Sequence, residues 1–207
     1  MQNSNSVNKA LVALDFDGVI CDSFVTALRI FQIGDPLLTA TQLRDRFAGN
    51  FNLAARIGDA SFNFFDIYAP LVKDLPLFTG MDAVIRTLSD AYTLVIISST
   101  ITPPIEEFLK EHGLLDNFAD VLGNDKGTRK DEKLRTVLEH YHTTPADCVF
   151  ITDTLGDLKE GQKVGVHTIA TTWGYHDQSQ LEQGNPERLA TSPDQLPQHV
   201  SNLLSAT

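Results

Sequence analysis

The stretch that most constrains the fold begins at Leu11, where an apolar run leads directly into two aspartates and a glycine. Such a run predicts a strand, from about Leu11 to Asp17, that is buried on both faces of a parallel sheet. Side chains alternate along a strand, so Asp15 and Asp17 are expected to project into one pocket as the chain leaves the sheet. Two carboxylates that close imply a bound Mg2+ ion or a raised pKa on one of them. Gly18 then permits a tight turn and a close approach of the backbone to a ligand.

Strand and helix patterns alternate through most of the remaining chain. Apolar runs predict strands at 92–100, 119–123, 147–153 and 166–172, and helices are predicted at 81–90, 104–112, 131–141, from Asp157 onward and at 196–204. This alternation predicts an α/β fold with a doubly wound, Rossmann-like parallel sheet. No regular element is predicted in the polar stretch 177–187. Tyr175 and His176, just past the fifth strand, are candidates for the mouth of a site, and an ordinary loop is the favoured interpretation.

Residues 24–75 carry helical patterns and no strand signal. Helices are predicted from Phe24 toward a break at Gly34 and over 41–47, 53–57 and 62–71. Seven of the twelve phenylalanines fall here: Phe24, Phe31, Phe47, Phe51, Phe62, Phe64 and Phe65. Such a density predicts a separate apolar core with spare apolar surface facing a pocket. We therefore expect a small α-helical cap at 23–75, inserted after the first strand of an α/β core formed by 1–22 and 76–207.

Composition excludes several classes of partner. The formal net charge of −11 argues against nucleic acid and anionic membranes, because either would require a basic surface. The only cysteines, Cys21 and Cys148, argue against a disulfide framework and fit a reducing compartment. Residues 1–9 are polar, and no window reaches the length of a membrane span. The expectation is a soluble, cytoplasmic protein with no nucleic acid or membrane partner.

Polar groups follow several of the predicted strands, and parallel strands bring their carboxyl ends to one edge of a sheet. They are Asp15 and Asp17 after the first strand, Ser98 and Ser99 after the second, Lys126 and Lys130 in the loop after the third, and Asp153 with Asp157 after the fourth. Each has an ordinary structural explanation alone, such as a solvated lysine or a helix N-terminal acid. Their coincidence at strand ends predicts one crevice in which they converge.

These motifs, in this order, resemble the four motifs of the haloacid dehalogenase (HAD) superfamily. The resemblance extends from Leu11 to Trp173, and the helical insertion lies where the phosphoglycolate-phosphatase-like branch carries its cap. It implies Mg2+-dependent phosphoryl transfer on a small phosphorylated metabolite. The sequence departs from the branch in having Ser99 where related enzymes often have Asn, no proline after Lys130, and a shorter insertion.

The resemblance also implies roles for individual residues. Asp15 would be the nucleophile that forms an aspartyl-phosphate, and Asp17 the acid and then the base. Ser98, with Ser99 and Gly18, would bind the substrate, and Lys130 would bridge the nucleophile and the phosphate, with Lys126 as a rival. The implied metal ligands are Asp15, Asp153, the main-chain carbonyl of Asp17 and Asp157. Arg29, Arg44, Arg46, Arg56 and Lys73 are candidates in the cap for binding a second anionic group.

Other interpretations remain open. A receiver-type phospho-acceptor domain uses similar residues but would be shorter, and the early insertion argues against it. Dehalogenating relatives lack the second aspartate, Asp17. A phosphomutase would pass the aspartyl-phosphate to a second hydroxyl rather than to water, and a non-catalytic binding protein could keep the fold. The identity of the ester stays open, and an aromatic-rich cap face would allow a homodimer.

Overall fold

The computed structural model describes residues 9–49 and 63–205, and its central element is a six-stranded sheet. The strands are β1 (Leu11–Leu14), β2 (Thr93–Ile97), β3 (Asp120–Leu122), β4 (Cys148–Thr152), β5 (His167–Thr171) and β6 (Arg188–Ala190). Their spatial order is β3-β2-β1-β4-β5-β6, and every pairing is parallel. Strand β1 therefore lies in the middle, with Leu14 opposite both Ile96 and Ile151. The predicted doubly wound parallel sheet is confirmed.

The helices follow the strands in the order that the alternation predicts. They are α1 (Phe24–Gly34), α2 (Ala40–Arg46), α3 (Phe64–Tyr68), α4 (Met81–Ala91), α5 (Thr102–Glu111), α6 (Lys130–His140), α7 (Leu155–Val164), α8 (Gln178–Glu182) and α9 (Leu196–Leu204). Short 3-10 turns cover Ala69–Asp74, Leu115–Asn117, Asn124–Lys126, Pro145–Asp147 and Pro193–Gln195. The helix predicted at 53–57 lies outside the described residues. No helix in the described part of the chain is long and apolar enough to cross a membrane.

Two parts of the secondary structure differ from prediction. Strand β1 ends at Leu14 rather than Asp17, because the chain turns back on itself through Gly18, where φ is +75°. The polar stretch 177–187 contains helix α8 and leads into the sixth strand, β6. Asp177 is the N-cap of that helix and accepts the Gln180 N–H at 3.0 Å. This cap stabilises the helix although the segment has few apolar residues.

The apolar core lies on both faces of the sheet. Alternate residues of β1 separate the two faces, since Val12 and Leu14 join one cluster while Leu11 and Ala13 join the other. The first cluster also contains buried side chains from the insertion, namely Ala27, Ile30, Phe31, Leu38, Leu43, Phe64 and Tyr68. The prediction of a separate core for the insertion is therefore wrong for its described part. Its apolar side chains pack into the same core as the sheet, which fixes the insertion above the strand ends.

Candidate active site

The carboxylate that follows β1 is paired with a lysine from the start of helix α6. Asp15 is buried, and its Oδ1 accepts the Phe16 N–H at 2.7 Å. The Lys130 Nζ donates to Asp15 Oδ2 and also to Asp157 Oδ2, the latter at 2.8 Å. Lys126, in contrast, is exposed in the preceding 3-10 turn. Of the two lysines that the sequence leaves as rivals, the structure brings Lys130 to Asp15.

The charges of these three groups depend on one another. Burial raises the pKa of Asp15 to about 7, although the Lys130 charge opposes the rise. Burial alone would lower the pKa of Lys130, but Asp15 and Asp157 hold it above its usual value. Burial would raise the pKa of Asp157, yet Lys130 and its hydrogen bonds hold it below its usual range. The lysine is therefore a permanent cation, and Asp157 is a permanent anion beside it.

Asp157 lies in the first turn of α7, where two threonines fix it. Its Oδ2 accepts the Thr154 hydroxyl at 2.8 Å and the Thr152 hydroxyl at 3.2 Å. Thr154 is also the N-cap of α7 and accepts the Asp157 N–H at 3.3 Å. Asp157 is thus held at a helix N-terminus, where its charge is favoured, and it orients the Lys130 ammonium.

Asp153 follows β4 and is completely buried in a narrow space between two glycines. Its Oδ2 accepts the Tyr175 N–H at 2.7 Å, while its Oδ1 is buried with no hydrogen-bond partner among the described residues. A Cβ atom on Gly18 would lie 1.8 Å from Asp153 Oδ2, and one on Gly174 would lie 2.2 Å from it. Burial, with the Asp15 charge adding to it, raises the pKa of Asp153 well above its usual value. A carboxylate held this way needs a cation or a proton.

The donor set around Asp153 fits a magnesium ion. No group of three or more histidine, cysteine, aspartate or glutamate side chains within 9–49 and 63–205 could hold a metal. Of the predicted metal ligands, Asp157 is engaged by Lys130 and threonines, and hydroxyl groups engage the side chain of Asp17, whose predicted ligand atom is its main-chain carbonyl oxygen. Asp15 and Asp153 line the same cavity, and Asp153 Oδ1 has no partner there. Mg2+ typically takes one or two protein carboxylates and completes its shell with water and phosphate oxygens, so this pair suits it.

Asp17 contacts both the sheet edge and the helical insertion. Its Oδ2 accepts the Thr100 hydroxyl at 2.7 Å, from the loop after β2. Its Oδ1 accepts the hydroxyl of Tyr68, at the end of helix α3. Burial raises the pKa of Asp17, and the hydrogen bonds from Tyr68 and Thr100 oppose that rise. The carboxyl group therefore holds a proton more readily than the carboxyl group of a solvated aspartate.

The two serines after β2 occupy different positions. Ser98 is completely buried, and its Oγ accepts the Thr100 N–H at 3.0 Å, whereas Ser99 lines the cavity. Beneath this loop lies Lys133, whose buried Nζ donates to the main-chain carbonyls of Ser98 and Gly123. Burial lowers the pKa of Lys133 to about 8, with the Lys130 charge contributing. The hydrogen bond from Lys133 to the Ser98 carbonyl thus connects the loop that carries the serines to helix α6.

One cavity collects most of the predicted site residues. It is lined by Asp15, Asp17, Ser99, Thr100, Lys130, Asp153, Thr154 and Asp157, together with Phe47, Gly49, Phe64, Tyr68 and Tyr175. Ser98 and Gly18 are not among the lining residues, but Gly18 packs against Asp153 and Ser98 orders the loop. The residues more than a hundred positions apart in sequence do converge at one sheet edge, as predicted.

Other residues contribute to the site. Tyr175 and His176, for which an ordinary loop is the favoured interpretation of the sequence, are both buried, and Tyr175 lines the cavity. The Tyr175 hydroxyl bonds Ser23 at 3.0 Å and His176 Nδ1 accepts the Leu155 N–H at 2.9 Å. Tyr68 carries no local motif, and its position three residues after Phe65 indicates only a helix face. For Lys133 a signal existed, because it follows Lys130 by three positions and shares a helix face with it.

The described arginine and lysine residues of the insertion do not line the cavity. The Arg44 guanidinium lies over the Phe24 ring at 4.1 Å from its centroid, Arg46 pairs with Asp35 at 3.3 Å, and Lys73 pairs with Glu107 at 3.8 Å. Arg29 is exposed, and neither it nor the other three lines the cavity. Arg56, the fifth candidate for a second anion site, falls outside the described residues.

Comparison with known proteins identifies the family. The model of the haloacid dehalogenase-like hydrolase family matches residues 12–171. The chain belongs to this family. A phosphoglycolate phosphatase from Synechococcus elongatus is 25% identical over 93% of this chain and 98% of its own length. A phosphoglycolate phosphatase from Vibrio vulnificus is 25% identical over 90% of this chain and 93% of its own.

Solved structures agree with the family assignment. A haloacid dehalogenase-like family hydrolase from Streptococcus pneumoniae superimposes with a TM-score of 0.77 at 20% identity, covering 93% of this chain and 98% of that one. At that identity the likeness shows the fold alone. The predicted superfamily, and the predicted enzyme class of HAD-type phosphatases, are confirmed.

Proposed function

We propose that this HAD phosphatase hydrolyses a small phosphomonoester by a Mg2+-dependent reaction through a phosphorylated aspartate, Asp15. The observation that carries the proposal is the pairing of Asp15 with Lys130 in the cavity that also contains Asp17 and the unpartnered oxygen of Asp153. A nucleophile, an acid, a fixed cation and an incomplete cation site are the parts that phosphoryl transfer requires. The predicted cap boundaries, 23–75, belong to the same proposal.

In the first half-reaction, an Asp15 carboxylate oxygen bonds the phosphorus atom, and the bond from phosphorus to the alcohol oxygen breaks. Asp17 donates its proton to that oxygen, so a neutral alcohol leaves and Asp17 becomes a carboxylate. The Lys130 ammonium offsets the repulsion between the nucleophile and the anionic phosphate. Ser99 and the Thr100 loop supply donors to the phosphate oxygens.

In the second half-reaction, Asp17 takes a proton from a water molecule, whose oxygen bonds the phosphorus of the aspartyl-phosphate. The bond from phosphorus to Asp15 breaks, which restores the Asp15 carboxylate and releases inorganic phosphate. When bound, Mg2+ would be held by Asp15, Asp153 and the main-chain carbonyl of Asp17, and would neutralise charge on the phosphate oxygens. Asp157 acts through Lys130, which it orients.

The test is phosphate release from a panel of phosphomonoesters that includes 2-phosphoglycolate, with and without Mg2+. We expect Mg2+-dependent release from the wild type and a loss of about a thousandfold or more in Asp15→Asn, because the covalent step has no nucleophile. Asp153→Ala should show a comparable loss. The matched control is Asp22→Asn, an exposed aspartate seven residues on, which should behave as the wild type. Full activity in Asp15→Asn would overturn the proposal.

A further inference from the structure

Part of the cavity wall is aromatic. Phe47, Phe64, Tyr68 and Tyr175 all line it, and none of these rings carries a charge. Phe64 stacks on Tyr68 at 5.0 Å between ring centroids, and Phe47 meets Tyr175 edge to face at 4.7 Å. Three of the four residues lie in the insertion, between α2 and the end of α3. A substrate bound with its phosphate at Asp15 would place its alcohol part between this wall and Asp17.

The described lining residues carry positive charge only at the phosphate end of the cavity. Among the lining residues within the described ranges, Lys130 alone is cationic, and Asp15 and Asp157 already engage it. The donors that face Asp17 include the neutral hydroxyls of Tyr68 and Thr100. Against these described residues, an anionic group on the alcohol would lie between aromatic rings and carboxylates without a counter-charge, which is costly.

We infer that the substrate is a monoester of an uncharged alcohol with an apolar or aromatic face, and that the insertion's aromatic wall selects it. The inference rests on the proposed phosphatase function and names its substrate class. It separates this chain from enzymes whose leaving group carries a carboxylate or a second phosphate. Aromatic side chains supply a large contact area with specific ring geometry, and a hydrophobic pocket discriminates by the apolar groups it contacts.

Two matched pairs of esters test the inference on the wild-type enzyme. The first compares 2-phosphoglycolate with its carboxylate methyl ester, which has the same phosphate linkage but no second charge. The second compares ethyl phosphate with benzyl phosphate, which adds an aromatic face. We expect kcat/KM to be higher for the methyl ester and for benzyl phosphate, each by roughly tenfold or more. A preference for 2-phosphoglycolate over its methyl ester would overturn the inference. Loss of that preference in Arg56→Ala would then identify Arg56 as the residue that favours the carboxylate.

Failure of the inference and failure of the proposed function give different results. Phosphate release from 2-phosphoglycolate in preference to the neutral esters contradicts the inference and supports the phosphatase. No release from any ester contradicts the phosphatase and the inference with it. Equal rates for ethyl and benzyl phosphate would mean that the aromatic wall does not select the substrate, and would also overturn the inference.

Two neighbouring phenylalanines provide a matched pair of variants. Phe64 lines the cavity, whereas Phe65, next along helix α3, does not. We expect Phe64→Leu to reduce the ratio of kcat/KM for benzyl over ethyl phosphate by roughly fivefold or more, and Phe65→Leu to retain it. The ratio is measured within one protein sample, so partial loss of folded enzyme does not affect it. A retained ratio in Phe64→Leu would contradict the role of the wall.

A binding measurement checks the same point without turnover. Isothermal titration of the Mg2+-loaded wild type with benzylphosphonate and with carboxymethylphosphonate compares an aromatic with a carboxylate substituent on the same anchor. We expect benzylphosphonate to bind roughly tenfold more tightly, with a negative heat-capacity change from burial of its ring. Tighter binding of the carboxylate compound would overturn the inference.

Discussion

The two sides of the cavity differ in chemistry and in the way the chain builds them. The sheet side presents Asp15, Lys130 and Asp153 from strand ends and a helix start, and all three are buried. Asp15 and Lys130 are paired, whereas Asp153 Oδ1 has no hydrogen-bond partner among the described residues. The insertion side presents aromatic rings that belong to the same apolar cluster as the sheet. In the function that we propose, the sheet side carries out the reaction, and in the substrate class that we infer, the insertion side selects the alcohol.

The largest expected effect comes from a substitution on the sheet side, at Lys130. Lys130→Met should lower kcat by about a thousandfold, because the variant loses the only lining cation of the described cavity and leaves Asp15 and Asp157 unpaired. Its folded state should also be less stable, by about 3 kcal/mol, since Asp15 and Asp157 lose the positive charge that compensates their own. Steady-state phosphate release and denaturant unfolding measure the two effects. Lys126→Met, the exposed rival, is the control, and equal losses in both variants would contradict the assignment.

A second prediction concerns the space around Asp153. A Cβ atom at Gly174 would lie 2.2 Å from Asp153 Oδ2 and 2.4 Å from the Gly18 carbonyl oxygen, so Gly174→Ala must displace the carboxylate. We expect the Mg2+ concentration for half-maximal activity to rise by roughly 10–100-fold, as for other residues that orient metal ligands. Gly161→Ala is the matched control. Gly161 lies in helix α7, and its added Cβ would lie 3.1 Å from the Phe150 ring rather than close to Asp153. An unchanged Mg2+ requirement in Gly174→Ala would place the metal elsewhere.

The contrast between the two sides also explains what the sequence could and could not predict. Strand ends of a parallel sheet meet at one edge, so a local pattern such as that of Asp15 and Asp17 already predicts where the groups converge. The choice between Lys130 and Lys126 required the structure, because both lie in one polar stretch of the sequence, whereas the structure has Lys126 in an exposed 3-10 turn and Lys130 at the start of helix α6. The contacts of Tyr68 and Tyr175 could not be predicted, because tertiary packing of the insertion and of the loop after β5 brings them to Asp17 and Asp153.

A third prediction uses the pKa of Asp15 without metal. Burial raises this pKa to about 7 in the folded protein, above its value near 3.9 in the unfolded chain. Between these values the folded state binds a proton that the unfolded state has lost, so the contribution of Asp15 to stability falls as pH rises from about 4 to 7. Asp15→Asn cannot lose this proton. In EDTA, its free energy of unfolding relative to the wild type should therefore increase by about 4 kcal/mol between pH 4 and 8.

The difference between the two proteins is the quantity to measure, because other carboxylates titrate identically in both. Denaturant unfolding at pH 4, 6 and 8 gives it directly. Saturating Mg2+ at pH 8 should then stabilise the wild type more than Asp15→Asn, because binding to the folded state alone adds to its stability. A pH-independent difference between the two proteins in EDTA would mean that Asp15 is ionised throughout and that Lys130 alone compensates its burial.

The smallest effect tests the bond from the Tyr68 hydroxyl, on the insertion side, to Asp17 Oδ1. Tyr68→Phe keeps the ring and removes this donor, while the Thr100 hydroxyl, at 2.7 Å, still donates to the carboxyl group. We expect kcat/KM to fall by roughly fivefold for benzyl phosphate, whose alcohol needs a proton to leave, and less for 4-nitrophenyl phosphate, which does not. Tyr141→Phe, which removes a hydroxyl bonded to Asp120 at 3.0 Å outside the cavity, controls for the loss of a tyrosine bond to a carboxylate. Equal losses for both esters would mean that Tyr68 only shapes the wall, whereas a larger loss for benzyl phosphate would mean that the insertion also positions the acid.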